Sequence, residues 1–260
     1  RAGCGMESTC RRSPSYPVLP LVLYSVQGDV ALLELSAPPA NALSFRLLEQ
    51  LGCALRRALD DTHVRCGIRP GGTERFSVGA DLAIFRNIRS GDEALYASRV
   101  FQETFQAIED APRPVLVALA GHVLGGGLEL AMSCHGRLAT ESSRFSLPEV
   151  NLGINPGAGG TQRLPRLIGL EPALGMLLGG KPIDAPTALA WGLIDATCPP
   201  GDLIPTAMQL LTDSASPLSQ AWQNLDARRT GRRGDRLADV ESNRAALARA
   251  SARVATVRPE

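Results

Sequence analysis

The sequence predicts an α/β protein whose strands are joined by helical crossovers, and three observations carry that expectation. Short apolar runs alternate with stretches of helical spacing from residue 21 to residue 198, the order that lays helices against a largely parallel sheet. "RPVLVALAGHV", residues 113–123, is almost unbroken in aliphatic and β-branched side chains, as a strand covered on both faces must be. That run leads straight into "GGGLELAMSC", residues 125–134, where three glycines open a helical pattern.

Taken in order, residues 21–26 and 30–35 are two short strands separated by the turn signal Gly28-Asp29, and Pro38 and Pro39 end the second. Residues 45–60 carry Leu47, Leu48, Leu51, Leu55 and Leu59 at helical spacing. "VRCGIRPGGTERF" is the next strand candidate, but Gly67, Arg69 and Pro70 interrupt it, so a short strand is expected there. "FSVGADLAIF" reads as a glycine-containing loop entering a helix, and residues 92–110 form a second helical pattern. "GRLAT", "SRFSLPEV" and "GGTQRLPRLIGLEPALGMLLGG" continue the alternation. From about Pro199 the chain reads helical, with a basic break, "ARRTGRRGDR", before a last helix over residues 237–254. The expected division is a flexible tail (1–19), a catalytic core (20–198) and a helical region (199–260).

Composition removes several function classes. At 260 residues with 44% hydrophobic and 20% charged side chains the chain is long enough to bury a full core. A formal net charge of +1 gives no general attraction to nucleic acid or anionic membrane. Cys4, Cys10, Cys53, Cys66, Cys134 and Cys198 share no metal-ligand spacing with His63, His122 or His135, so no metal site and no disulfide framework is expected. No apolar run approaches the roughly 20 residues of a membrane span. The first residues, "RAGCGMESTCRRSPSYP", lack the apolar centre of a secretory signal; a cytoplasmic protein is expected, or an organellar matrix protein if this stretch is a transit peptide.

Chemistry concentrates around the glycine triplet. A buried strand, a glycine turn and a helix point the helix's unsatisfied N–H groups at whatever lies beyond the strand end, and bare backbone there suits an oxyanion hole. Taken alone, the triplet reads more simply as a tight turn with close packing. Glu129 changes that balance, because a carboxylate followed by Leu130, Ala131 and Met132 is costly to bury unless it is used. A second acid, Glu149, lies 20 residues on, behind Pro148 and ahead of Val150 and Leu152. Either glutamate alone could be a helix cap or a surface ion pair. Two together in one pocket of low dielectric would push one pKa up and serve as acid and base.

Two other signals are weaker. "GMLLGGKP" approaches a phosphate-binding loop at Lys181, but Pro182 occupies the hydroxyl position and no buried strand precedes it. The basic run "RRTGRRG" could touch RNA, but a solvated linker is the better reading of it.

Five blocks, "PPANALS", "FSVGADL", "GHVLGGGLELAMSC", "LPEVNLGINPGAGGTQRLPRLIG" and "ALAWGLIDA", together resemble the crotonase, or enoyl-CoA hydratase/isomerase, superfamily in order and spacing. The resemblance runs from Val22 to Cys198 and is greatest to the hydratases, including the hydratase portion of bifunctional β-oxidation enzymes. It implies a crotonase fold, a spiral of ββα units with a C-terminal helical part, assembled as a trimer or a dimer of trimers. It further implies an acyl-CoA thioester substrate and no metal or redox cofactor. By the same resemblance Ala80 and Gly126 match the two N–H donors of the oxyanion hole. Glu129 matches the group that activates water, and Glu149 the group that handles the proton at the α-carbon. Gly157 matches a backbone position near that water, with Pro148 beside Glu149. Asn41, Ala42 and Ser44, together with Ser77, Gly79, Asp81 and Leu82, match the cradle for the coenzyme A end. Members of the family often carry a lysine near the C-terminus against the coenzyme A phosphates; here the candidates are arginines, Arg228, Arg229, Arg232 and Arg233. The resemblance leaves an isomerase, which needs only Glu149, and a non-catalytic RNA-binding protein as alternatives to hydration.

Overall fold

A computed structural model describes residues 19–213 and 240–257. The 1–18 stretch, most of the expected flexible tail, and the basic run at 227–236 lie outside the described residues. Strands β1 (Val22–Gln27) and β2 (Val30–Leu35) pair antiparallel, with Val22 opposite Leu35. Gly28 makes the turn between them at φ +60°, a conformation glycine adopts at no steric cost. Helix α1 (Phe45–Asp60) starts where Ser44 accepts a hydrogen bond from the Leu47 N–H. Its Leu47, Leu48, Leu51 and Leu55 are buried as their spacing requires, while Leu59 is half-buried.

The next three units repeat one plan. Strand β3 (Arg65–Pro70) is followed by β4 (Arg75–Ser77) and helices α2 (Leu82–Asn87) and α3 (Gly91–Glu109). Strand β5 (Val115–Leu119) is followed by β6 (His122–Leu124) and α4 (Gly126–Ser133). Strand β7 (Gly136–Thr140) is followed by β8 (Arg144–Ser146), a 3-10 turn at Pro148–Leu152 and helices α5 (Gly160–Ile168) and α6 (Leu170–Gly179). After β9 (Ile183–Asp184), α7 (Ala185–Trp191) and β10 (Ala196–Cys198) come α8 (Leu203–Thr212) and α9 (Val240–Val257). The first strand of each unit enters a six-stranded sheet of order β1-β2-β3-β5-β7-β10, and the second enters a four-stranded sheet of order β4-β6-β8-β9. The chain is therefore a spiral of ββα turns, parallel except at β1/β2 and β8/β9.

The main core fills the space between the sheets and helices α1, α3 and α4, with Leu33, Leu51, Phe76, Phe105, Leu128 and Phe145 all buried. A second cluster lies beneath the larger sheet, where Leu203, Ala207 and Leu211 of α8 cover Leu32, Leu116 and Leu138. Helix α9 meets α6 through an exposed ion pair between Arg249 and Glu171. Among the described residues no helix is long and apolar enough to cross a membrane. The Lys181 motif is a helix end: Gly180 closes α6 in the left-handed region and Lys181 is exposed beyond it.

Two expectations need correction. Strand β3 is not cut short by Gly67, Arg69 and Pro70; it is as long as β2 and pairs with it over all six residues, from Arg65 opposite Val30 to Pro70 opposite Leu35. Gly71 N–H takes the Leu35 carbonyl, so Pro70's own nitrogen faces the other side, where pairing with β5 has already ended at Ile68. Arg69 pairs with Glu34 of β2, and a side chain on Gly67 would meet Leu211 of α8, its Cβ 3.1 Å from Cδ1. Each apparent breaker is absorbed by a neighbour. The second correction concerns "RPVLVALAGHV", which is two strands in two sheets. The break is at Gly121, φ +58°, where a Cβ would lie 1.7 Å from the Glu74 carbonyl oxygen.

Candidate active site

The three glycines before Glu129 do three different things. Gly125 sits at φ +50°, and a Cβ there would lie 3.0 Å from the Glu149 Oε1. A Cβ on Gly127 would lie 2.7 Å from Ser77 Cβ, so its absence lets α4 press against β4. At Gly126 a Cβ would stand 3.3 Å from the Ala80 nitrogen, so glycine keeps that N–H uncovered. As the first residue of α4, Gly126 also has an N–H that the helix itself leaves without an acceptor.

Ala80 is aimed by a single parallel bridge to Leu43. The Leu43 N–H takes the Gly79 carbonyl at 2.8 Å, and the Asp81 N–H takes the Leu43 carbonyl at 3.1 Å. That pattern uses the groups on either side of Ala80 and turns its own N–H away, towards α4. Gly79, at φ +99°, makes the approach possible, since a Cβ there would lie 3.0 Å from the Gly126 nitrogen. Two backbone donors thus converge at the end of α4, where the helix dipole also favours developing negative charge.

Glu129 points from the first turn of α4 and is 2% exposed. Its Oε1 accepts from Ala158 N–H at 2.9 Å and from Gly160 N–H at 2.7 Å. Burial, opposed by those two bonds and reinforced by the neighbouring Glu149 charge, pushes its carboxyl up to about 7. Glu149, in the 3-10 turn, is raised above the ordinary carboxylate range, again by burial first. Among the described residues its buried Oε2 has no hydrogen-bond partner, a costly state for an acceptor.

Both acids and both N–H donors line one cavity of about 460 Å³. Gly79, Leu82, Pro148 and Gly157 line it too. Asn41, Ser44, Ser77 and Asp81 have their side chains engaged in the fold around it. Asn41 bonds Phe76 O and Ala37 N, Ser44 caps α1, Ser77 Oγ donates to Asn41 O, and Asp81 caps α2 by accepting from Ala83 N–H. Ala42 lies in the same loop, half-exposed. Sequence reasoning passed over the wall that α3 supplies through Ala94, Ala97, Ser98 and Phe101. It also passed over the Ala158 and Gly160 N–H groups that grip Glu129. The glycines of "NPGAGG" were the available signal: a Cβ on Gly160 would lie 2.9 Å from Glu129 Oε1.

A direct consequence is that Gly126→Ala places a methyl over the Ala80 N–H. Loss of one such donor costs about 10²–10³-fold in kcat by analogy with other oxyanion holes. The expected result is that loss of turnover with a melting temperature close to wild type, since no φ strain arises at Gly126. Unchanged kcat/KM in the folded variant would remove these N–H groups from the chemistry.

An α/β spiral of this topology, with converging amides facing one buried and one half-buried carboxylate, has the crotonase fold. Residues 25–249 match the family Enoyl-CoA hydratase/isomerase, and the chain belongs to it. It is 44% identical over 170 residues to the "Probable enoyl-CoA hydratase" of Bacillus subtilis, covering 65% of this chain and 66% of that one. It is 37% identical over 219 residues to a peroxisomal fatty acid beta-oxidation multifunctional protein of Arabidopsis thaliana, covering 84% of this chain and 30% of the plant protein. The chain thus spans less than two thirds of either relative. Among solved structures it resembles an enoyl-CoA hydratase from Bacillus anthracis, with a TM-score of 0.75 and 29% identity over 89% of each chain. An enoyl-CoA hydratase from Thermoplasma volcanium gives a TM-score of 0.74 at 28% identity, covering 92% of this chain and 93% of that one.

Proposed function

We propose that this protein adds water across the 2,3 double bond of a trans-2-enoyl-CoA thioester to give the 3-hydroxyacyl thioester. The observation that carries the reading is Glu129 and Glu149 facing one largely apolar cavity beside the Ala80 and Gly126 N–H groups. The thioester oxygen accepts from those two amides. Glu129 takes a proton from a water as its oxygen bonds to the β-carbon, and the displaced electron pair moves onto the thioester oxygen as an enolate. Glu149 then delivers a proton to the α-carbon as the carbonyl re-forms. One acid is ionised and the other protonated at the start, so the active pair carries a single proton. Hydration starts from one tautomer of that pair and dehydration from the other.

The rate should therefore follow a bell in pH, falling when the pair gains a second proton and when it loses its last. A profile of kcat/KM flat from about pH 5 to about pH 9 would contradict a shared proton. We read the adjoining loops, 41–44 and 77–82, as the cradle for the coenzyme A end, and the assembly as a homotrimer or dimer of trimers in the cytoplasm. The decisive assay follows loss of conjugated thioester absorbance over a series of enoyl-CoA chain lengths, with a 3-enoyl-CoA as the isomerase control. A protein that turns over no enoyl-CoA in the series overturns the reading. The isomerase alternative is kept because the partnerless Glu149 oxygen is the group a 1,3-proton shift would use.

A further inference from the structure

Glu129 is held by a loop, and that loop is itself held from behind. Arg163, one turn into α5, donates from Nη1 to the Ala158 carbonyl at 2.8 Å. Ala158 is the residue whose N–H bonds Glu129 Oε1, so the guanidinium holds the next peptide unit of the same residue, between the two amides that carry the acid. Gly159, between the two amides that hold Glu129, sits at φ +104°, and a Cβ there would lie 2.3 Å from Arg163 Nη1. A side chain at Gly159 would therefore displace the guanidinium from the Ala158 carbonyl. Arg163 in turn directs Nε and Nη2 at a single oxygen of Glu109, at 3.0 and 2.8 Å. Its side chain is 12% exposed and that of Glu109 30%, so the pair is partly shielded from solvent.

Glu109 belongs to α3, which touches the same loop a second time. Gln102 donates from Nε2 to the Gly157 carbonyl at 2.7 Å. Residues 102 and 109 are seven apart, two helical turns, and so share the face that packs on residues 157–160. Ser98, four residues before Gln102, continues that face into the cavity, with its Oγ 3.4 Å from where a Gly157 Cβ would stand.

We propose that Arg163, held by Glu109, is a positioning residue for the water-activating carboxylate: through the Ala158 carbonyl it fixes the loop whose amides hold Glu129, and it places a half-buried cation behind them. The inference rests on the reading of Glu129 given above. Among the described residues the charged groups that bear on Glu129 are Glu149 in the 3-10 turn and Arg163 in α5, the latter lowering its pKa, with Glu109 of α3 behind Arg163. His135 also lies against Glu109, its ring Nε2 3.2 Å from the Glu109 backbone carbonyl oxygen.

Arg163 and Glu109 carry opposite charges, so their removal should move the Glu129 ionisation in opposite directions. A merely structural pair would not do this. Infrared titration of the full-length protein, with Glu129→Gln as the subtraction control, reads that ionisation directly. Arg163→Met should raise its midpoint, because a cation that favours the ionised carboxylate is removed. Glu109→Gln should lower it, because the cation is then less neutralised. Arg163→Lys should return the midpoint most of the way by restoring the charge. In the assay, Arg163→Met should lower kcat about tenfold or more with KM nearly unchanged, as misplacing a catalytic group does. Should Arg163→Met not fold, Glu109→Gln carries the test alone, since its amide oxygen can still accept from the guanidinium. Midpoints unmoved by Glu109→Gln and Arg163→Met, or moved the same way by both, overturn the inference. Hydration surviving in Glu129→Gln overturns the functional reading instead, so the two failures are distinguishable.

Discussion

Glu129→Gln is expected to lose hydration by about 10²–10⁴-fold, the usual cost of removing a general base, while still binding the thioester. The amide oxygen can accept from Ala158 and Gly160 as the carboxylate does, but it takes no proton from water. The same variant should be more stable than wild type, in a pH-dependent way. In the folded chain Glu129 titrates at about 7 against an ordinary value of 4.5, so the folded state holds this proton more tightly than the unfolded one. Stability from this group is complete below the ordinary value and is lost as pH rises through the folded one. Wild type and variant should therefore melt together below the ordinary value of 4.5, and the variant should melt higher at about pH 8. Near-wild-type turnover in the folded variant would end the assignment of Glu129. Equal melting at both pH values would mean that the acid is not buried as described.

Glu149→Gln should abolish hydration and isomerisation alike. Hydration needs one group for water and one for the α-carbon, whereas a 1,3-proton shift is run by a single carboxylate that removes a proton and returns it. Glu149 suits the second task because its Oε2 is buried without a partner and Gly125 leaves room for its carboxylate beside α4. Glu129→Gln, by contrast, should retain some conversion of 3-enoyl to 2-enoyl thioester. Both variants are given both substrates, and conjugated thioester absorbance is followed alongside chromatography of the 3-hydroxy product. Full isomerase activity in Glu149→Gln would refute this division of roles. A wild type that isomerises well but never hydrates would replace the hydratase reading with the isomerase one.

Much of this protein is legible in its sequence because the signals are local. Leucines at helical spacing define α1 from Phe45 to Asp60 as observed, since a helix that must bury one face repeats its apolar residues every three or four positions. Residues 30–35 form β2 at the expected bounds. The glycine triplet and the two acids announce a site because glycines and buried carboxylates are costly wherever they do nothing.

What only the tertiary structure decided depends on contacts between segments distant in the chain. Gly67, Arg69 and Pro70 read as breakers within β3, yet α8, Glu34 and the early end of β5 pairing each absorb one of them. The apolar run at 113–123 conceals its break because burial is the same in both sheets; what turns the chain is the Glu74 carbonyl against Gly121, 47 residues away. Ala94, Ala97 and Ser98 look like any small residues on a helix until α3 closes the cavity with them. The grip of Arg163 on the Ala158 carbonyl behind Glu129 cannot be read from Ala158, because a hydrogen bond to a backbone carbonyl leaves no mark on the identity of the residue that accepts it. Residue types declare which groups are costly to bury; only the packing of α3 and α5 around Glu129 determines how that cost is met.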